Sequence, residues 1–401
     1  MEKKLTVAIY TGSIQAPVFI ENLIQSLSQQ GIRIFLFGKG EKSSVHDYSN
    51  NISIIPTPSN RLLLGCFVLV QMFRFIIAAP LKYYSLLTHY RKIPKIMKGS
   101  FLNWWGKVLP VVNNLPDIFH IQWAKALPNW FFLKDLFGVK IVVSLRGAHI
   151  NYSPLADQNL ARQYLLLFPK IEHFHAVSKA IANEAEKYGA LAEKIRVINS
   201  AVNLEYLKLY IKTNWEANDP FQFISVGRYH WKKGYHYALS AIQILIKNNM
   251  RVHYTIMTRD QPSEEILYQL DDLSLKGHVT LNYVDNQEDV YLKMSVSDCL
   301  LLPSTEEGIA NVVLEAMTIG LPVISSDIGG MREVIEHGQN GFLFRNRDVD
   351  HLKEMMENVF NQSPAQRKTL INKAMKNIEK NYEFSKLGSE MKKLYHSIDF
   401  S

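Results

Sequence analysis

Two series of alternating strand and helix patterns, one in each half of the chain, constrain the fold more than any other feature of this sequence. In the first half, the apolar run LTVAIYTG is followed by VFIENLIQSLSQQG, whose apolar residues recur at helical spacing, and then by IRIFLFGKG. After position 220 the order starts again with FQFISVGRYHWKKG and YHYALSAIQILIKN. Successive strand–helix–strand units form parallel strands with right-handed crossovers. The sequence therefore predicts an α/β protein with two doubly wound, Rossmann-like domains that face each other across a cleft.

The length of the chain also supports two domains, because 401 residues exceed what one hydrophobic core usually organises. We place an N-terminal domain at residues 1–204, a linker at 205–220 and a C-terminal domain at 221–380. The linker is predicted because this stretch is polar and has no clear period. Ligands of doubly wound sheets bind beyond the carboxyl ends of the strands, so we expect the chemistry in the loops that follow them.

The composition is that of a globular protein, with 47% hydrophobic and 20% charged residues. Both cysteines, Cys66 and Cys299, lie in apolar runs, so we expect buried free thiols and neither a disulfide nor a zinc site. The opening residues MEKKLTVAIYTGS pass directly into a strand pattern and lack the apolar region of a signal peptide. These features predict a cytoplasmic protein.

A basic and apolar segment lies between Asp47 and Asp117, where no acidic residue occurs. Runs such as LLLGCFVLV, MFRFIIAAP and FLNWW alternate there with cations, a pattern typical of helices at an anionic lipid surface. A pair of buried helices with basic rims would show the same pattern. Gln71 and Arg74 interrupt the apolar run and argue against a transmembrane span. Membrane contact through residues 61–107 is thus one of two interpretations, and nucleic-acid binding has little support. The basic residues are Arg61, Arg74, Lys82, Arg91, Lys92, Lys95, Lys98 and Lys107.

Two carboxylates, Glu307 and Glu315, flank the start of a predicted helix near Asn311. The free backbone N–H groups at a helix start favour a phosphate or diphosphate. Glu315, one turn into the helix, leans back toward that start, where it would meet neutral hydroxyls such as those of a ribose. Glu307, in the preceding loop, could meet the hydroxyls of a sugar. In isolation, the same pair could be a helix-end charge and a solvated surface residue.

Two cations, Arg228 and Lys233, lie in the loop VGRYHWKKG, which follows a predicted strand and precedes a helix. Fixed cations and backbone dipoles stabilise the charge that a departing nucleoside diphosphate develops. The alternative is an exposed basic loop, although the large Trp231 favours packing of the loop against another element. Together with the helix start at Asn311, the two cations predict a diphosphate site.

The segments VGRYHWKKGYHYALSA and PSTEEGIANVVLEAMTIGLPVISSDIGGMREVIEHGQNGFLF resemble the donor-binding half of family-4 glycosyltransferases of the GT-B fold, in particular bacterial members that build polysaccharides. The resemblance is specific over Phe223–Phe344 and weaker before it. It implies retaining, metal-independent transfer from a nucleotide-sugar, with no cofactor. It also implies an acceptor-side N-terminal domain, on which a last segment at residues 381–401 packs back.

The resemblance assigns roles to the residues above: Arg228 and Lys233 bind the diphosphate, Glu307 the donor sugar and Glu315 the ribose. Same-face attack, in which the leaving diphosphate helps to deprotonate the acceptor, would explain retention without an enzymatic nucleophile. A site with cations and a helix start but no second carboxylate pair agrees with this. The resemblance also implies donor contacts at Gly308, Asn311 and Val312.

The sequence departs from the family pattern after the fifth strand, where many members have His-Gly-x-Asp. This chain has LRGAHI, so Arg146 stands at the His position and His149 at the Asp position. An arginine cannot act as a base, but it can hydrogen-bond a sugar hydroxyl or a phosphate. We place Arg146 in the site with its role open, and His149 as a structural residue or an acceptor contact. Two further departures, TRDQPS after VHYTIM and Tyr283 in LNYVDNQ, leave the nucleotide base open.

The N-terminal loop TGSIQAPVF lacks a G-x-G-x-x-G pattern, which argues against a dinucleotide oxidoreductase. Its Gly12 and Ser13 are instead predicted near the donor phosphates, where a glycine permits close approach. His120 ends a predicted strand and is a candidate acceptor or sugar contact, although a buried core histidine is the commoner role. The pair Asp348 and Asp350 has the D-x-D form of metal-dependent transferases, but it directly precedes a helix, so we predict a helix cap and no metal site.

These residues predict a glycosyltransferase that moves a sugar from a nucleotide-sugar to a carbohydrate or lipid-linked acceptor in surface polysaccharide biosynthesis. It would work in the cytoplasm, at the inner face of the cell membrane if the basic segment binds lipid. Two alternatives remain. One is a nucleotide-sugar isomerase of the same fold. The other is a non-catalytic scaffold subunit of a polysaccharide assembly complex, which the altered residues Arg146 and His149 would allow.

Overall fold

The computed structural model describes residues 5–40, 51–93 and 99–400, so that Lys95 and Lys98 of the basic segment lie outside the described residues. The chain forms two compact units. Unit 1 comprises Met1–Ile198 and Leu387–Ser401, and unit 2 comprises Asn199–Lys386. Each unit contains one parallel sheet with helices between most of its strands, which confirms the predicted α/β class with two doubly wound units.

Seven strands of unit 1 form a sheet in the order β3-β2-β1-β4-β5-β6-β7. The order reverses direction between β1 and β4, and folds of this type bind ligands at the carboxyl ends of the strands beside such a switch point. The strands read as apolar runs because helices cover both faces of the sheet; all four residues of β4 are buried. The strands are β1 Thr6–Ser13, β2 Arg33–Lys39, β3 Ile52–Thr57, β4 Ile118–Ile121, β5 Lys140–Leu145, β6 His173–Ala176 and β7 Ile195–Val197.

Four helices of unit 1 begin at a side-chain cap. The side chain of Asn60 accepts hydrogen bonds from the backbone amides of Leu62 and Leu63, for example, and Ser178 caps a later helix in the same manner. The helices are α1 Val18–Gln29, α2 Arg61–Ala78, α3 Pro80–Lys92, α4 Phe101–Val112, α5 Leu127–Trp130, α6 Phe132–Phe137, α7 Ala148–Asn151, α8 Ser153–Ala156, α9 Gln158–Leu167 and α10 Lys179–Glu186.

Only a narrow stripe of helix α2 packs against α4. Its buried residues are Leu64, Val68 and Phe75. Gly106 of α4 permits the contact, because a Cβ atom there would lie 2.6 Å from Cδ1 of Leu64. Most of the other residues of α2 are exposed, including Cys66, so the prediction of a buried Cys66 thiol is wrong, and the interpretation as buried helices does not hold for α2. Cys299 is buried, as predicted.

Six strands of unit 2 form a second parallel sheet in the order β10-β9-β8-β11-β12-β13. Its switch point lies between β8 and β11, which pair through Phe223 with Cys299 and Ile224 with Leu300. The strands are β8 Phe221–Val226, β9 Val252–Thr258, β10 Val279–Tyr283, β11 Cys299–Leu302, β12 Val323–Ser326 and β13 Phe342–Phe344. The helices are α11 Leu204–Leu207, α12 Tyr235–Lys247, α13 Glu264–Asp272, α14 Gln287–Ser295, α15 Asn311–Ile319, α16 Met331–Val334, α17 Val349–Phe360 and α18 Pro364–Asn381.

The segment predicted as a linker, residues 205–220, folds as part of unit 2. Lys212 is buried there, and its ammonium forms an ion pair with Asp298 at 3.2 Å. The carboxylate of Asp298 also accepts hydrogen bonds from the backbone amides of Asn218 and Gln222. The stretch reads as a linker in the sequence because its residues are polar and their buried partner, Asp298, lies some 80 positions further along the chain.

The last helix, α19 (Phe384–His396), returns to unit 1 from residue Leu387 onward. Its Gly388 lies so close to α1 that an added Cβ atom would be 2.5 Å from the backbone oxygen of Ser26. Further along, the ammonium of Lys392 donates to the backbone oxygen of Gln30 at 2.9 Å. Unit 1 is therefore built from two separate stretches of the chain.

Candidate active site

The loops that follow β8 and β11 meet at the switch point of unit 2. Residues 227–234 follow β8, and residues 303–310 follow β11. The backbone amide of Thr305 donates to the backbone oxygen of Lys232 at 2.7 Å, which joins the two loops directly. Because parallel neighbouring strands end at the same edge of a sheet, the residues of both loops are brought together there.

An ion pair lies at this junction. The ammonium of Lys233 is 2.6 Å from Oε1 of Glu307, and both side chains are largely buried, with exposed fractions of 18% and 13%. The hydroxyl of Ser304 donates to the same carboxylate oxygen at 3.3 Å. The structure thus brings together two residues, 74 positions apart, that were predicted to serve one site.

The environment of Glu307 favours its ionised form. Burial raises the pKa of this carboxyl, but the charges of Lys233 and Lys232 and the hydrogen bonds from Lys233 and Ser304 lower it by more. The net result is a pKa below the ordinary value of 4.5. Glu307 therefore carries a negative charge near neutral pH and can only accept hydrogen bonds, for example from hydroxyl groups.

Two glycines allow the loops to approach this closely. Gly234 has a φ of +63°, and a Cβ atom on it would lie 2.0 Å from the backbone oxygen of Pro303. Gly329 has a φ of +48°, and its Cβ would lie 1.8 Å from the backbone oxygen of Glu307. Any larger residue would displace the loop that carries Glu307. The backbone amide of Gly330 also donates to the oxygen of Gly308 at 2.7 Å, so Gly308 is held in the same place.

Helix α15 begins directly after this loop, at Asn311. Ala310 occupies the N-cap position, and no side chain caps the first amides of the helix, which include that of Val312. The side-chain oxygen of Asn311 is buried and has no hydrogen-bond partner among the described residues. Arg228 extends from the facing loop with an exposed side chain and no ion pair within the described part of the chain. A free cation and an uncapped helix start are both suited to an anionic group.

Glu315 lies one turn into α15 and is buried, with 8% of its surface exposed. The hydroxyl of Tyr291, on α14, donates to its Oε1 at 3.2 Å. Burial raises the pKa of Glu315 to about 7, although the Tyr291 hydrogen bond lowers it in part. Near neutral pH this carboxyl is therefore half protonated and can both donate to and accept from a hydroxyl group.

In unit 1, Arg146 follows β5 and Gln122 follows the neighbouring β4. Nη2 of Arg146 donates to Oε1 of Gln122 at 3.1 Å. At the end of β1, on the other side of β4, Gly12 has a φ of +86° and Ser13 is exposed, with its hydroxyl donating to the backbone oxygen of Lys39 at 3.2 Å. These residues line the carboxyl ends of three adjacent strands at the switch point of unit 1.

His120 has a structural role in place of the predicted ligand contact. It is fully buried, and both ring nitrogens are engaged: Nδ1 lies 2.7 Å from the hydroxyl of Tyr395 in α19, and Nε2 lies 2.8 Å from that of Ser144. Burial first, and then the nearby His175 and Arg146, lower the pKa of His120 well below its ordinary value. His149 lies in α7, where its ring centroid is 5.4 Å from that of Trp123.

Three residues of these sites were not predicted from the sequence: Ser304, Tyr291 and Gln122. Ser304 lies three residues before Glu307, and its small polar side chain at the end of a buried strand was the only local signal. Tyr291 and Gln122 reach their partners from another helix or strand, so spacing along the chain could not identify them.

The structure gives no sign of a metal site in residues 5–40, 51–93 and 99–400, where no cluster of three His, Cys, Asp or Glu side chains occurs. The D-x-D pair was predicted to be a helix cap. Asp348 is the N-cap of α17, and its carboxylate accepts a hydrogen bond from the backbone amide of His351 at 2.9 Å. The prediction of a helix cap is therefore confirmed.

Two family models match most of the chain. Residues 16–206 match the model described as Glycosyltransferase Family 4. Residues 210–377 match the model described as Glycosyl transferases group 1. The second match contains the loops with Lys233 and Glu307, and the first contains Arg146 and His120.

Among curated proteins, the chain is 30% identical over 249 residues to the amylovoran biosynthesis glycosyltransferase AmsK of Erwinia amylovora. The alignment spans 60% of this chain and 60% of that relative. Among solved structures, HepE of Anabaena, crystallised with UDP, is 18% identical with a TM-score of 0.71 over 99% of this chain and all of that one. Sucrose-phosphate synthase of Thermosynechococcus elongatus is 15% identical with a TM-score of 0.72, and the match covers 98% of each chain. At these identities the structural likeness shows that the fold is shared.

Proposed function

We propose a sugar-transfer function for this chain, from the premise that it belongs to the family-4 glycosyltransferases of the GT-B fold. In this proposal, the chain moves a sugar from a nucleotide-sugar to a carbohydrate or lipid-linked acceptor during polysaccharide biosynthesis. The name of the Erwinia relative supports a role in building a polysaccharide, and the UDP complex of HepE supports a nucleotide-sugar donor. The geometry of unit 2 supports the same reaction independently of the names.

The observation that carries the proposal is the Lys233–Glu307 ion pair beside the uncapped start of α15. The reaction releases a nucleoside diphosphate, on which negative charge develops as the bond to the sugar breaks. Lys233 and the exposed Arg228 would neutralise that charge together with the amides of Asn311 and Val312, and these groups are fixed before the substrate arrives. Glu307, held ionised, would accept hydrogen bonds from the donor sugar, and Glu315 would bind the ribose.

The stereochemical part of the proposal is transfer with retention, by same-face attack of the acceptor as the diphosphate leaves. Glu307 is fixed by Lys233 and Ser304, which is a suitable arrangement for binding a sugar and a poor one for a nucleophile whose charge must be available. We further propose that no metal ion is required, because two lysine or arginine side chains and a helix start can supply the positive charge that a divalent ion supplies elsewhere. No cofactor enters this scheme.

The proposal is tested by mixing the whole chain with a panel of nucleotide-sugars and measuring binding by calorimetry and donor hydrolysis by release of the nucleotide. Donor hydrolysis that persists in the presence of a metal chelator, with the anomeric configuration of the released sugar retained, is the expected result. Binding without any hydrolysis or transfer would support the scaffold alternative, and interconversion of the sugar without its release would support the isomerase.

We also propose that the protein works in the cytoplasm and that α2 and α3 attach it to an anionic membrane surface. Large apolar side chains project from both helices, and Leu62 and Leu81 are each 83% exposed. Cations lie among them, and no acidic residue occurs in either helix. The exposed apolar residues are Leu62, Leu63, Leu69, Val70, Phe73, Ile76, Ile77, Leu81 and Tyr84.

The orientation proposed for α2 is parallel to the membrane surface. The helix has 18 residues, a mean hydropathy of 1.9 and 17% of its residues buried, so its length and composition alone would also suit a spanning helix. However, Leu64, Val68 and Phe75 pack on unit 1 along its length, and Asn113 donates to the backbone oxygen of Gln71 at 2.9 Å. A helix held along one side presents its other side to lipid, while Arg74 and Lys82 can reach anionic head groups.

A further inference from the structure

A positively charged side chain in unit 1 has no acidic partner. The guanidinium of Arg146 lies over the ring of Phe19, with its carbon 4.8 Å from the ring centroid. Its only hydrogen bond within the described residues goes from Nη2 to Oε1 of Gln122, which is a neutral group. None of the ion pairs in the described part of the chain includes Arg146. A desolvated charge of this kind is costly unless a counter-charge and hydrogen-bond acceptors compensate it.

The cost of burying this charge appears in the pKa of the guanidinium. Burial lowers the pKa of Arg146 to about 9, and the one influence that opposes it comes from Tyr395. An ordinary structural arginine keeps its charge beside a carboxylate, as Arg332 does beside Asp327 in unit 2. Arg146 instead remains a cation near neutral pH in a place that provides no anion.

Two hydrogen-bond donors at the same place also lack acceptors. Nε of Arg146 and Nε2 of Gln122 are both buried and make no hydrogen bond with any residue of the described ranges. Gln122 is fully buried, and its amide orientation is fixed because Oε1 accepts from Arg146. Its NH₂ group must therefore point to the side that lacks an acceptor. Buried donors without partners are uncommon in folded proteins and need an explanation.

The neighbouring histidines do not accept these hydrogen bonds, because their acceptor nitrogens already have donors. Nε2 of His175 lies 2.9 Å from the backbone oxygen of Ile198, so it must carry a proton and leave Nδ1 as an acceptor. Oγ of Ser144 lies 2.9 Å from that Nδ1 and 3.3 Å from Oε1 of Gln122. Its single proton goes to the closer acceptor, Nδ1, and the oxygen accepts from Nε2 of His120. Nδ1 of His120 in turn accepts from Tyr395. Every acceptor nitrogen of the two histidines is occupied, and both rings are neutral.

We propose that Arg146 and Gln122 form a binding site for an oxyanion of the sugar substrate, a carboxylate or a phosphate group. Such a group would accept hydrogen bonds from Nε of the guanidinium and from the amide NH₂ while supplying the missing negative charge. A planar guanidinium is suited to bidentate contact with either anion. The site lies beyond the carboxyl ends of β4 and β5, next to the switch point of unit 1, where folds of this type bind ligands. The inference rests on the proposed function only in identifying the ligand as a sugar substrate.

The two sources of the oxyanion are distinguished by the choice of probe. For an acidic sugar, we compare binding of glucuronate and of its uncharged methyl ester to the whole chain. For a phosphate, we measure binding of inorganic phosphate in a Lys233→Ala background, so that the loops of unit 2 contribute less. If the site takes a sugar carboxylate, glucuronate binds about tenfold or more tightly than its ester, and Arg146→Gln removes the preference. If it takes a phosphate, Arg146→Gln weakens phosphate binding by a similar factor.

A second variant separates ligand binding from a structural role. Gln122→Glu would place a carboxylate beside Arg146 and so supply the missing counter-charge within the protein. We expect this variant to raise the midpoint of thermal unfolding and to lose binding of the anionic probe together. A structural hydrogen bond between the two residues would instead make Arg146→Gln unfold at a lower temperature without changing binding.

The inference is overturned if wild-type protein binds glucuronate and its ester equally and Arg146→Gln leaves phosphate binding unchanged. This failure differs from a failure of sugar transfer. Donor hydrolysis depends on Lys233 and Glu307, so a protein that hydrolyses donors without any anion preference at Arg146 would refute only the oxyanion site. A protein that binds the anion through Arg146 but hydrolyses no donor would refute only the transferase.

Discussion

The ammonium of Lys233 lies 2.6 Å from Oε1 of Glu307, and the two residues come from loops that follow neighbouring strands of unit 2. Because both side chains are largely buried, removal of either one leaves the other charge without compensation. The pair therefore determines both the position of the loops and the charge available for a substrate, and replacements at its two ends should have different consequences.

For catalysis, we expect Lys233→Ala and Glu307→Gln each to lower the turnover of donor by about 100-fold or more, the scale observed when a fixed charge-stabilising group is removed. Steady-state assays with a nucleotide-sugar would measure the loss, and circular dichroism would verify the fold. Lys208→Ala is the matched control, because Lys208 forms an exposed ion pair with Glu205 of unit 2 at 2.7 Å. Wild-type turnover in both site variants would contradict the proposed reaction.

Glu315 gives a prediction for the dependence of stability on pH. Its pKa in the folded protein is about 7, against an ordinary value of 4.5, so the folded state holds the proton more tightly than the unfolded state. The resulting stabilisation is complete below about pH 4.5 and is lost as the pH rises to about 7, by an amount on the order of 3 kcal/mol. Urea unfolding of wild type and Glu315→Gln at several pH values would show the difference. A difference between the two proteins that does not change with pH would refute the raised pKa.

The hydrogen bond from Tyr395 to His120 should contribute to the stability of unit 1. Tyr395→Phe leaves Nδ1 of His120 buried without a donor, so we expect the free energy of unfolding to fall by about 1–3 kcal/mol. Chemical unfolding, with a probe that reports on unit 1, would measure it. Tyr268→Phe is the control, since Tyr268 is 72% exposed in unit 2 and should tolerate the change. Equal stability of the two variants would mean that the bond contributes nothing.

Membrane attachment predicts binding to vesicles that contain anionic lipid and weaker binding to neutral ones. Replacing the two cations Arg74 and Lys82 by Gln should weaken binding about 30-fold, at about 1 kcal/mol for each cation. The double change Leu69→Gln with Phe73→Gln should weaken it through lost apolar burial. Vesicle sedimentation at two salt concentrations would measure both.

Leu209→Gln is the control for the vesicle experiment, because Leu209 is an exposed leucine of unit 2, outside the proposed surface. Vesicle binding that is insensitive to salt and to all of these α2 and α3 replacements would exclude this surface. Concentration-dependent dimerisation that the leucine and phenylalanine changes abolish would instead indicate that a second copy of the chain covers it.

The secondary structure could be predicted where long apolar runs gave a clear period, as in β1, α1 and α12. Strand β3 was missed because five of its six residues are only partly buried and Pro56 interrupts it, a feature that an edge strand tolerates. Strand β13 was missed because its three residues are too few to show alternation. Predictions from periodicity need several residues with one-sided or complete burial; β3 lacks the burial, and β13 has the burial but lacks the length.

The candidate site could be predicted in part because its charged residues stand in loops directly after strands. Lys233 and Glu307 were identified in this way, and the fold then brought them together. The partners Tyr291 and Gln122 could not be identified, since each contact joins elements whose relative position depends on tertiary packing. The choice between the two roles of His120, ligand contact or buried core histidine, could not be made for the same reason: its partner, Tyr395, lies 275 positions away in the last helix.

The return of α19 to unit 1 has a consequence for biosynthesis. A ribosome exposes residues 1–198 before unit 2, yet the segment that packs against Ser26, Gln30 and His120 is translated only after all of unit 2. The residues of unit 2 are contiguous, so this unit can form its native contacts before Leu387–Ser401, the last part of unit 1, has been synthesised. The half of the protein that emerges first is therefore completed second, and a nascent chain stalled before residue 387 would hold a finished C-terminal sheet beside an unfinished N-terminal one.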